Sequence, residues 1–394
     1  MKLPRTLRLT ALAALLPLAS LSAAHDYLVY IGTYTGAKNA KVESKGIYVF
    51  GFDSQSGKLE PMGLAGEVKS PSFLAISPSK KYLYSVSEAP VGTAAPGKPA
   101  TGGISSFSID PSTGKLTLLN QESSQGSGPC HVSVDHTGKV VLVANYGSGH
   151  VASLPVKSDG SLDKAATVYL HEPASKANPK RQEGPHAHSI NVDAANKFAF
   201  AADLGCDRVF IYKLDPAAGT ITPNAPAFGT VPAGGGPRHF AFHPNGKYAY
   251  VCNEMTCTVT AFNYDAGRGA LEEIATVSTL PEGTAVDPKF STAETQVHPS
   301  GKFAYVSNRG HNTIAVYSVD AGTGKLKLVE NAPSIVETPR NFGIDPSGKW
   351  LIAAGQSSSS LAVFAIDASS GKLTPTGQTL DVGSPVCVKF LSVK

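Results

Sequence analysis

Arginine, histidine and glutamate side chains lie at fixed distances from a lysine that recurs along this chain. In the stretch GPRHFAFHPNGKYAYVCNE, residues 236–254, Arg238 lies nine positions before Lys247 and Glu254 lies seven positions after it. A carboxylate can accept a proton from an attacking water, and an arginine can bind a phosphate or carboxylate and stabilise negative charge as it develops. The stretch therefore carries groups suited to general base catalysis beside an anion or an oxyanion.

The same count from other lysines finds more polar side chains at these two positions. His188 and Arg340 lie nine positions before such lysines, and Arg309 lies seven positions after one. Packing alone would place small or apolar residues there in every repeat, so the polar set indicates a site. We take Glu254 and His188 as candidate bases, with Arg238 and Arg309 as the groups that hold the substrate. The adjacent positions add further candidates for substrate binding: His131, His239 and Asp203.

These positions border two short apolar strands that recur along the chain. Each copy has a Pro or Gly entry, an apolar strand, a turn of the P-x-G-K kind and a second apolar strand. The pattern is typical of a repeat protein, in which each repeat is one supersecondary unit. The clear copies occupy residues 70–88, 128–146, 184–204, 236–254, 293–309 and 338–356.

Two more strands follow each pair, which makes four strands in a repeat. The third strand occurs seven times, for instance as GIYVFGFD and NTIAVYSVD, and the fourth opens with a turn such as GKLEP. The C-terminal SPVCVKFL (384–391) is a first strand without its partner, and the N-terminal YLVYIGTYT (27–35) is a second strand without its predecessor. The sequence therefore predicts an all-β fold, a seven-bladed β-propeller of four-stranded antiparallel blades whose N- and C-terminal strands share one blade and close the ring.

This architecture brings the polar positions together. The first strand of a blade begins on the face where the second strand ends, because the two are antiparallel neighbours joined by a tight turn. The innermost strand lines the axial channel, so these strand edges from successive blades meet at one mouth. Strict alternation along the strand sends Arg238 and His239 to opposite sides; we place Arg238 in the site and leave the side of His239 open.

The composition is that of a globular protein, with 42% hydrophobic and 16% charged residues. The formal net charge of +4 is small for 394 residues and no block of like charges occurs. An extended nucleic-acid or membrane footprint is therefore not expected.

The N-terminus has the features of a signal peptide. Basic residues precede an apolar stretch, which is interrupted by Pro17 and is followed by Ser22 and Ala24 in a cleavage-like arrangement. We predict a signal peptide over residues 1–24 and a single propeller domain over residues 25–394. The mature protein is then expected to be periplasmic or secreted.

The cysteines and histidines give no evidence of a metal site. Five cysteines is an odd number, so at least one thiol stays unpaired. Cys252 and Cys257 flank a short loop and either form a bridge across a hairpin or remain two buried thiols. No His or Cys spacing resembles a zinc site and no carboxylate cage is evident, so we expect no metal and no other cofactor.

Two insertions lie on the mouth side of the predicted disc. Residues 89–103 are rich in Pro, Gly and Ala, which is typical of a solvated loop. Residues 171–188 carry Lys180, Arg181 and His186, enough positive charge and histidine to capture an anion. The second insertion is therefore a candidate partial lid that contributes Arg181 and His186 to substrate binding, beside Arg340 of the strands.

Several motifs of the chain, among them PHAH, GPRH and SNRGH, are specific in combination. They belong to segments spread over essentially the whole mature chain. These segments are residues 30–35, 181–193, 202–215, 236–254, 298–317 and 338–348.

On these segments the chain resembles the lactonase family of seven-bladed β-propellers, which contains the propeller-type 6-phosphogluconolactonases and the fungal carboxy-muconate cycloisomerase. The resemblance implies hydrolysis of a sugar lactone. It also implies a site that contains His188 or His186, together with Arg238, Glu254 and Arg309.

Three functions remain open at the level of sequence. Lactone hydrolysis needs a base for the water and donors for the oxyanion, which Glu254 or His188 and the arginines can supply. No G-x-S-x-G elbow occurs, so a serine acyl-enzyme of that kind is not expected. The same residues suit a cycloisomerase, and an exported protein could also be a non-catalytic binding propeller. We expect a hydrolase that acts as a monomer on a small-molecule lactone.

Overall fold

The protein is an all-β propeller. The computed structural model describes residues 25–37, 41–91 and 100–393, and within these ranges the chain forms β-strands and no α-helix. The strands pair into seven four-stranded antiparallel sheets, as the sequence predicts. The predicted signal peptide, residues 1–24, lies outside the described residues. Within the described part, no helix is long and apolar enough to cross a membrane.

Each blade consists of four strands, numbered here in chain order. Blade 1 contains β4 (Leu74–Ile76), β5 (Tyr82–Ser87), β6 (Gly103–Ile109) and β7 (Leu116–Ser123). Blade 2 contains β8 (Pro129–Val134), β9 (Val140–Asn145), β10 (His150–Pro155) and β11 (Thr167–Leu170). Blade 3 contains β12 (Ala187–Val192), β13 (Phe198–Asp203), β14 (Arg208–Asp215) and β15 (Thr220–Thr230). Blade 4 contains β16 (Pro237–Phe242), β17 (Tyr248–Asn253), β18 (Thr258–Asp265) and β19 (Ala270–Ser278).

The remaining blades follow the same order except at the closure. Blade 5 contains β20 (Ser291–Val297), β21 (Phe303–Arg309), β22 (Thr313–Val319) and β23 (Leu326–Pro333). Blade 6 contains β24 (Pro339–Ile344), β25 (Trp350–Gly355), β26 (Ser360–Ile366) and β27 (Leu373–Asp381). Blade 7 contains β28 (Pro385–Ser392), β1 (Tyr27–Thr33), β2 (Gly46–Asp53) and β3 (Lys58–Glu67).

The first strands of the seven sheets surround the axis. Each of β4, β8, β12, β16, β20, β24 and β28 contacts the next one, and β28 contacts β4, so these inner strands form a closed ring. Closure depends on both chain ends, because β28 pairs with β1 from Tyr27↔Ser392 to Thr33↔Pro385. The predicted shared blade is therefore confirmed.

Apolar side chains fill the spaces between neighbouring blades, and a recurring tyrosine joins several of the blades. Tyr250 of β17 is fully buried, and its hydroxyl donates to the Gly324 carbonyl of the next blade at 3.0 Å. Gly324 has a φ of +70°, and a Cβ there would lie 2.5 Å from a ring carbon of Tyr248, so the turn that receives the hydroxyl requires glycine. Tyr30, Tyr84 and Tyr305 make the equivalent bond to glycine carbonyls of their neighbours.

A β-bulge near the mouth interrupts the inner strands. In blade 4, β16 has one residue more than the facing stretch of β17. The bulge turns two consecutive residues toward the next inner strand: Arg238 donates to the Ala293 carbonyl, and the His239 ring bonds the Glu294 carboxylate. The strict alternation predicted for Arg238 and His239 is therefore wrong. The same shift occurs in β8, β12, β20, β24 and β28.

All five cysteines are buried free thiols. Cys252 and Cys257 are therefore not bridged, and the alternative of two buried thiols is correct for this pair.

Candidate active site

A polar cavity of about 310 Å³ lies at the mouth of the channel, where the inner strands begin and their partners end. Several wall residues come directly after or at the end of a second strand, because antiparallel pairing returns these ends to the starting face of the inner strands. These residues are Tyr34 after β1, Glu88 after β5, Tyr146 after β9, Glu254 after β17 and Arg309 at the end of β21. The inner strands contribute Cys130, His188 and Arg340, and the loop before β12 contributes Arg181.

Glu254 is the centre of an ionic cluster in this cavity. Its Oε2 accepts from Arg238 Nε at 2.9 Å and lies 3.0 Å from Arg309 Nη2, while its Oε1 accepts from Arg181 Nη2 at 2.7 Å. The carboxylate is 6% exposed and Arg238 is 1% exposed. Charges buried this deeply need close partners, and here two blades and a loop supply them.

The three guanidinium groups keep this carboxylate ionised. Burial alone would raise the pKa of Glu254, but Arg309, Arg238 and Arg181 hold it well below its usual range. Burial lowers the pKa of Arg309 to about 10, although Glu254 opposes that shift. A carboxylate with such a low pKa and with both oxygens occupied is a weak base, so Glu254 is better suited to hold the arginines in position.

His188 places a neutral imidazole in the same cavity. Its ring is buried, with Nδ1 3.6 Å from Cys130 Sγ and an edge-on contact to the Tyr146 ring at 5.3 Å between centroids. Burial, reinforced by the positive charge of Arg238, lowers the pKa of His188 well below its usual value. The imidazole is thus unprotonated at neutral pH and can accept a proton. Burial raises the pKa of Cys130 to about 12, so its thiol stays protonated.

The guanidinium group of Arg340 is available to a ligand in the cavity. It lies 5.4 Å from the centroid of the Tyr34 ring, and within the described residues it makes neither an ion pair nor a hydrogen bond. Tyr34 itself donates to Glu88 Oε1 at 2.8 Å, and Glu88 also accepts from Ser72. Burial opposes ionisation of Arg340, but Tyr34 and Glu88 raise its pKa further, so it is a fixed cation facing the cavity.

The loop that carries Arg181 is tied to the blade beneath it. Gln182 is fully buried and donates to the Leu204 carbonyl at 2.8 Å and to Asp207 Oδ1 at 2.7 Å. Asp207 also accepts from the main-chain nitrogen of Gly236 at 2.8 Å, just before Arg238. One buried carboxylate thus positions both the loop and the start of β16, and with them two of the three arginines that contact Glu254.

Arginines outnumber carboxylates in this region. Arg181, Arg309 and Arg340 line the cavity and Arg238 lies beneath it, whereas Glu88 and Glu254 are the carboxylates in its wall. Four positive charges against two negative ones favour an anionic group or a developing oxyanion. Within the described residues, no group of three or more His, Cys, Asp or Glu side chains is arranged to hold a metal ion.

Comparison with known proteins identifies the family. The model of the lactonase family of seven-bladed β-propellers matches residues 28–390. The chain belongs to the lactonase family. It is 37% identical over 365 residues to a protein named 6-phosphogluconolactonase from Bacillus subtilis, covering 93% of this chain and 98% of that protein.

Solved structures of lactonase-family propellers superpose on it closely. A periplasmic gluconolactonase of Pseudomonas aeruginosa has a TM-score of 0.84 at 33% identity, covering 93% of this chain and 99% of that one. A putative 6-phosphogluconolactonase of Bacteroides fragilis has a TM-score of 0.84 at 32% identity, covering 94% and 99%. The chain therefore shares both the family and the architecture with these proteins along nearly its whole length.

The structure brings most of the predicted site residues of this lactonase-family chain to the mouth. Glu254, His188, Arg309, Arg181 and Arg340 line one cavity. Arg238 lies directly beneath Glu254, and His186 stacks on Tyr146 of the wall at 4.6 Å between ring centroids.

Three predicted substrate-binding residues lie elsewhere. His131 and His239 line a second cavity deeper in the channel, although the His239 ring is 5.4 Å from that of His188. Asp203 is fully buried, where it accepts from His171 Nδ1 at 2.7 Å and from the main-chain nitrogen of His186 at 2.8 Å. Asp203 therefore holds the loop end that carries His186, and it does not reach the mouth cavity.

Several wall residues of the mouth were not among the predicted site residues. Glu88 lies seven positions after Lys81, so counting from that lysine as well would have found it. Tyr146 and Cys130 lie at the two counted positions around Lys139, and Tyr34 follows the unpaired N-terminal second strand. The position at a strand end was a sufficient signal for Glu88, Tyr146 and Tyr34.

Proposed function

We propose that this protein hydrolyses a sugar lactone in the mouth cavity. One observation carries the proposal: His188 and Arg340 line the same cavity. The imidazole of His188 is buried and neutral, and the guanidinium group of Arg340 has no ion pair or hydrogen bond within the described residues. These are the two groups that hydrolysis of a cyclic ester requires, a proton acceptor and a stabiliser of the oxyanion. The names of the relatives, 6-phosphogluconolactonase and gluconolactonase, support the same reaction.

The proposed reaction begins with attack of water on the lactone carbonyl carbon. His188 accepts a proton from the water as its oxygen bonds to carbon, and Arg340 stabilises the resulting oxyanion. Collapse of the tetrahedral intermediate breaks the bond between the carbonyl carbon and the ring oxygen. The protonated His188 returns the proton to the departing alkoxide, which leaves an open-chain hydroxy acid and restores the neutral imidazole.

Glu254 serves in this scheme as a positioning group. Its carboxylate fixes Arg181, Arg238 and Arg309 around the cavity and remains ionised throughout. Preorganised charge of this kind acts on the transition state without reorganisation during the reaction. The arginine excess also favours departure of the ring oxygen, because positive charge stabilises the alkoxide that forms as the bond to the carbonyl carbon breaks.

We further propose that the protein is exported and that its substrate is unphosphorylated. The predicted signal peptide over residues 1–24 supports export, and a structural relative named periplasmic gluconolactonase supports the same compartment. A phosphorylated sugar lactone is normally a cytosolic metabolite and would be scarce outside that compartment. The mouth cavity is completed within one chain, which supports action as a monomer.

The substrate can be tested with the purified mature protein. We expect acid release from gluconolactone well above the spontaneous rate, followed in a pH-stat, and a lower kcat/KM for its 6-phosphate. No acceleration for either lactone would contradict the hydrolase proposal. A kcat/KM that favours the 6-phosphate would contradict the assignment of an unphosphorylated substrate.

A further inference from the structure

The axial channel contains a second cavity below the mouth. It has a volume of about 260 Å³ and lies among the middle and later residues of the inner strands. Arg238, which is 1% exposed, and the adjoining rings of His188 and His239 separate it from the mouth. Its wall includes Phe73, His131, Asn191, Phe242, Glu294 and Lys389.

One charged group of this wall is left without an ion pair or a hydrogen bond within the described residues. The ammonium group of Lys389 lies 4.5 Å from the Phe73 ring centroid, and its charge also acts on the Glu294 carboxyl. Asn191 Nδ2 and Thr295 Oγ1 form no hydrogen bond in the described part of the chain either, but both atoms are buried away from the cavity. The ammonium group is therefore the donor that an acceptor in the cavity can reach.

The carboxyl group of the cavity is already satisfied by the protein. Glu294 Oε1 accepts from its neighbour's main-chain nitrogen at 3.0 Å, and Oε2 bonds His239 Nδ1 at 2.9 Å and Asn341 Nδ2. Burial raises the pKa of Glu294 to about 7, although Lys389 and Arg238 oppose the shift. At neutral pH this carboxyl is partly protonated, so the surplus in the cavity is one of positive charge.

We propose that this lower cavity binds a small organic carboxylate. The carboxylate accepts from Lys389 Nζ, and the apolar body of the ligand packs against Phe73 and Phe242. A cation beside aromatic rings in a concave pocket suits this class of ligand better than a neutral one or a cation. The proposal does not depend on the reaction proposed for the mouth.

The site is tested with benzoate as the probe and benzamide as its neutral counterpart, by titration calorimetry on the mature protein. We expect benzoate to bind at millimolar concentration or below and benzamide at least about tenfold more weakly. Lys389→Met, which keeps the apolar stem, should weaken benzoate by about tenfold or more, and Lys389→Arg should retain most of the binding.

The control is Lys247→Met, which removes the same charge from an exposed turn on the same end of the disc. It should bind benzoate as the wild type does. Lys389→Met should also keep gluconolactone hydrolysis within about twofold, because Arg238 separates Lys389 from the mouth. Absence of benzoate binding to the wild type, or equal binding to Lys389→Met, would overturn the proposal.

The pH dependence provides a second readout. Glu294 faces His239 and Arg238 of β16 and Lys389 of β28. Protonation of Glu294 as the pH falls through about 7 makes the cavity more positive, so benzoate should bind more tightly at pH 6 than at pH 8. This dependence should disappear in Glu294→Gln, and tighter binding at pH 8 in the wild type would contradict the assignment.

Discussion

At the scale of single residues, Glu254 shows how one buried carboxylate can organise a site. Its two oxygens hold Arg181, Arg238 and Arg309, which reach it from a loop and from two blades. The arginines hold its pKa below the usual range, and it in turn offsets the mutual repulsion of three cations. Removal of one member of such a buried cluster leaves uncompensated charge behind.

We predict that Glu254→Gln lowers kcat/KM for gluconolactone by about 100-fold and the free energy of unfolding by about 3 kcal/mol. The amide keeps the shape of the side chain but cannot balance three guanidinium groups. Steady-state kinetics and urea unfolding measure the two effects. Glu272→Gln, on an exposed outer strand, is the control and should change neither. Wild-type kinetics in the Glu254 variant would show that the arginine cluster is not needed for catalysis.

We also predict the pH dependence of the reaction. Burial and Arg238 hold the pKa of His188 well below 6.5, so the neutral form that accepts the proton prevails throughout the neutral range. After correction for spontaneous opening, kcat/KM should be constant between pH 7 and pH 8 and should fall only on acidification well below 6.5. An inflection near 7, with activity lost toward acid from that point, would contradict a base with so low a pKa.

At the scale of elements, the position of the site depends on strand ends, bulges and one anchored loop. The loop before β12 reaches the mouth because Gln182 binds Asp207, which also holds the entry to β16. Arg181 is half-exposed above this anchor and contacts both Glu254 and the Tyr146 hydroxyl. The loop therefore forms one wall of the site, and the buried amide of Gln182 fixes the position of Arg181 in that wall.

We predict that Gln182→Ala raises KM for gluconolactone several-fold and changes kcat less, because Arg181 loses its fixed position while His188 and Arg340 keep theirs. Hydrogen exchange of residues 174–184 should become faster in the same variant. The control is Gln55→Ala in an exposed turn, which should leave both quantities unchanged. An unaltered KM together with faster exchange would mean that the loop does not contact substrate.

Most of the fold could be predicted from regular strand and turn patterns in the sequence. The β-bulges, which interrupt those patterns, could not. The apolar runs and the P-x-G-K turns give the strands, and the unpaired terminal strands give the closure. The bulge that turns His239 toward Glu294 interrupts a regular period, so counting by alternation misplaced this residue. The sequence signal for such a bulge is a pair of adjacent polar residues at the start of an apolar strand, because strict alternation would bury one of the two between blades.

The site residues that lie at the ends of strands could be predicted from the sequence. Glu254, Arg309 and Arg340 lie where the lysine count placed them, at one mouth. Asp203 lies one position before that count, and its side chain turns back to bind His171 and the main-chain nitrogen of His186. Side-chain direction beyond the last strand residue depends on loop contacts, which the repeat pattern does not contain.

At the scale of the whole molecule, ring closure holds the seven strand ends in register around the axis. β28 is the inner strand of the blade that begins at β1, and it contacts both β24 and β4. Its Val386, Cys387, Val388 and Leu391 are buried. Loss of these four side chains from the core would cost about 6 to 12 kcal/mol, which is comparable to the whole stability of a typical domain.

We predict that truncation after Ser384 prevents formation of a stable propeller, as measured by circular dichroism and thermal unfolding. A circular permutant is the control: residues 385–393 are placed before residue 26 through a short linker, which joins Ser392 and Tyr27 where they already pair. The permutant should fold and retain hydrolysis. A truncated protein that unfolds at the wild-type temperature would show that closure contributes little.

The measurement that bears most directly on the function of the mouth cavity is kcat/KM for gluconolactone in His188→Asn. The asparagine keeps a polar group in the cavity but cannot accept the proton of water, so we predict a loss of about 100-fold or more with an unchanged melting temperature. His136→Asn, an exposed histidine in a turn at the far end of the disc, should keep the wild-type value. Wild-type kcat/KM in His188→Asn would contradict hydrolysis by the mouth cavity as described.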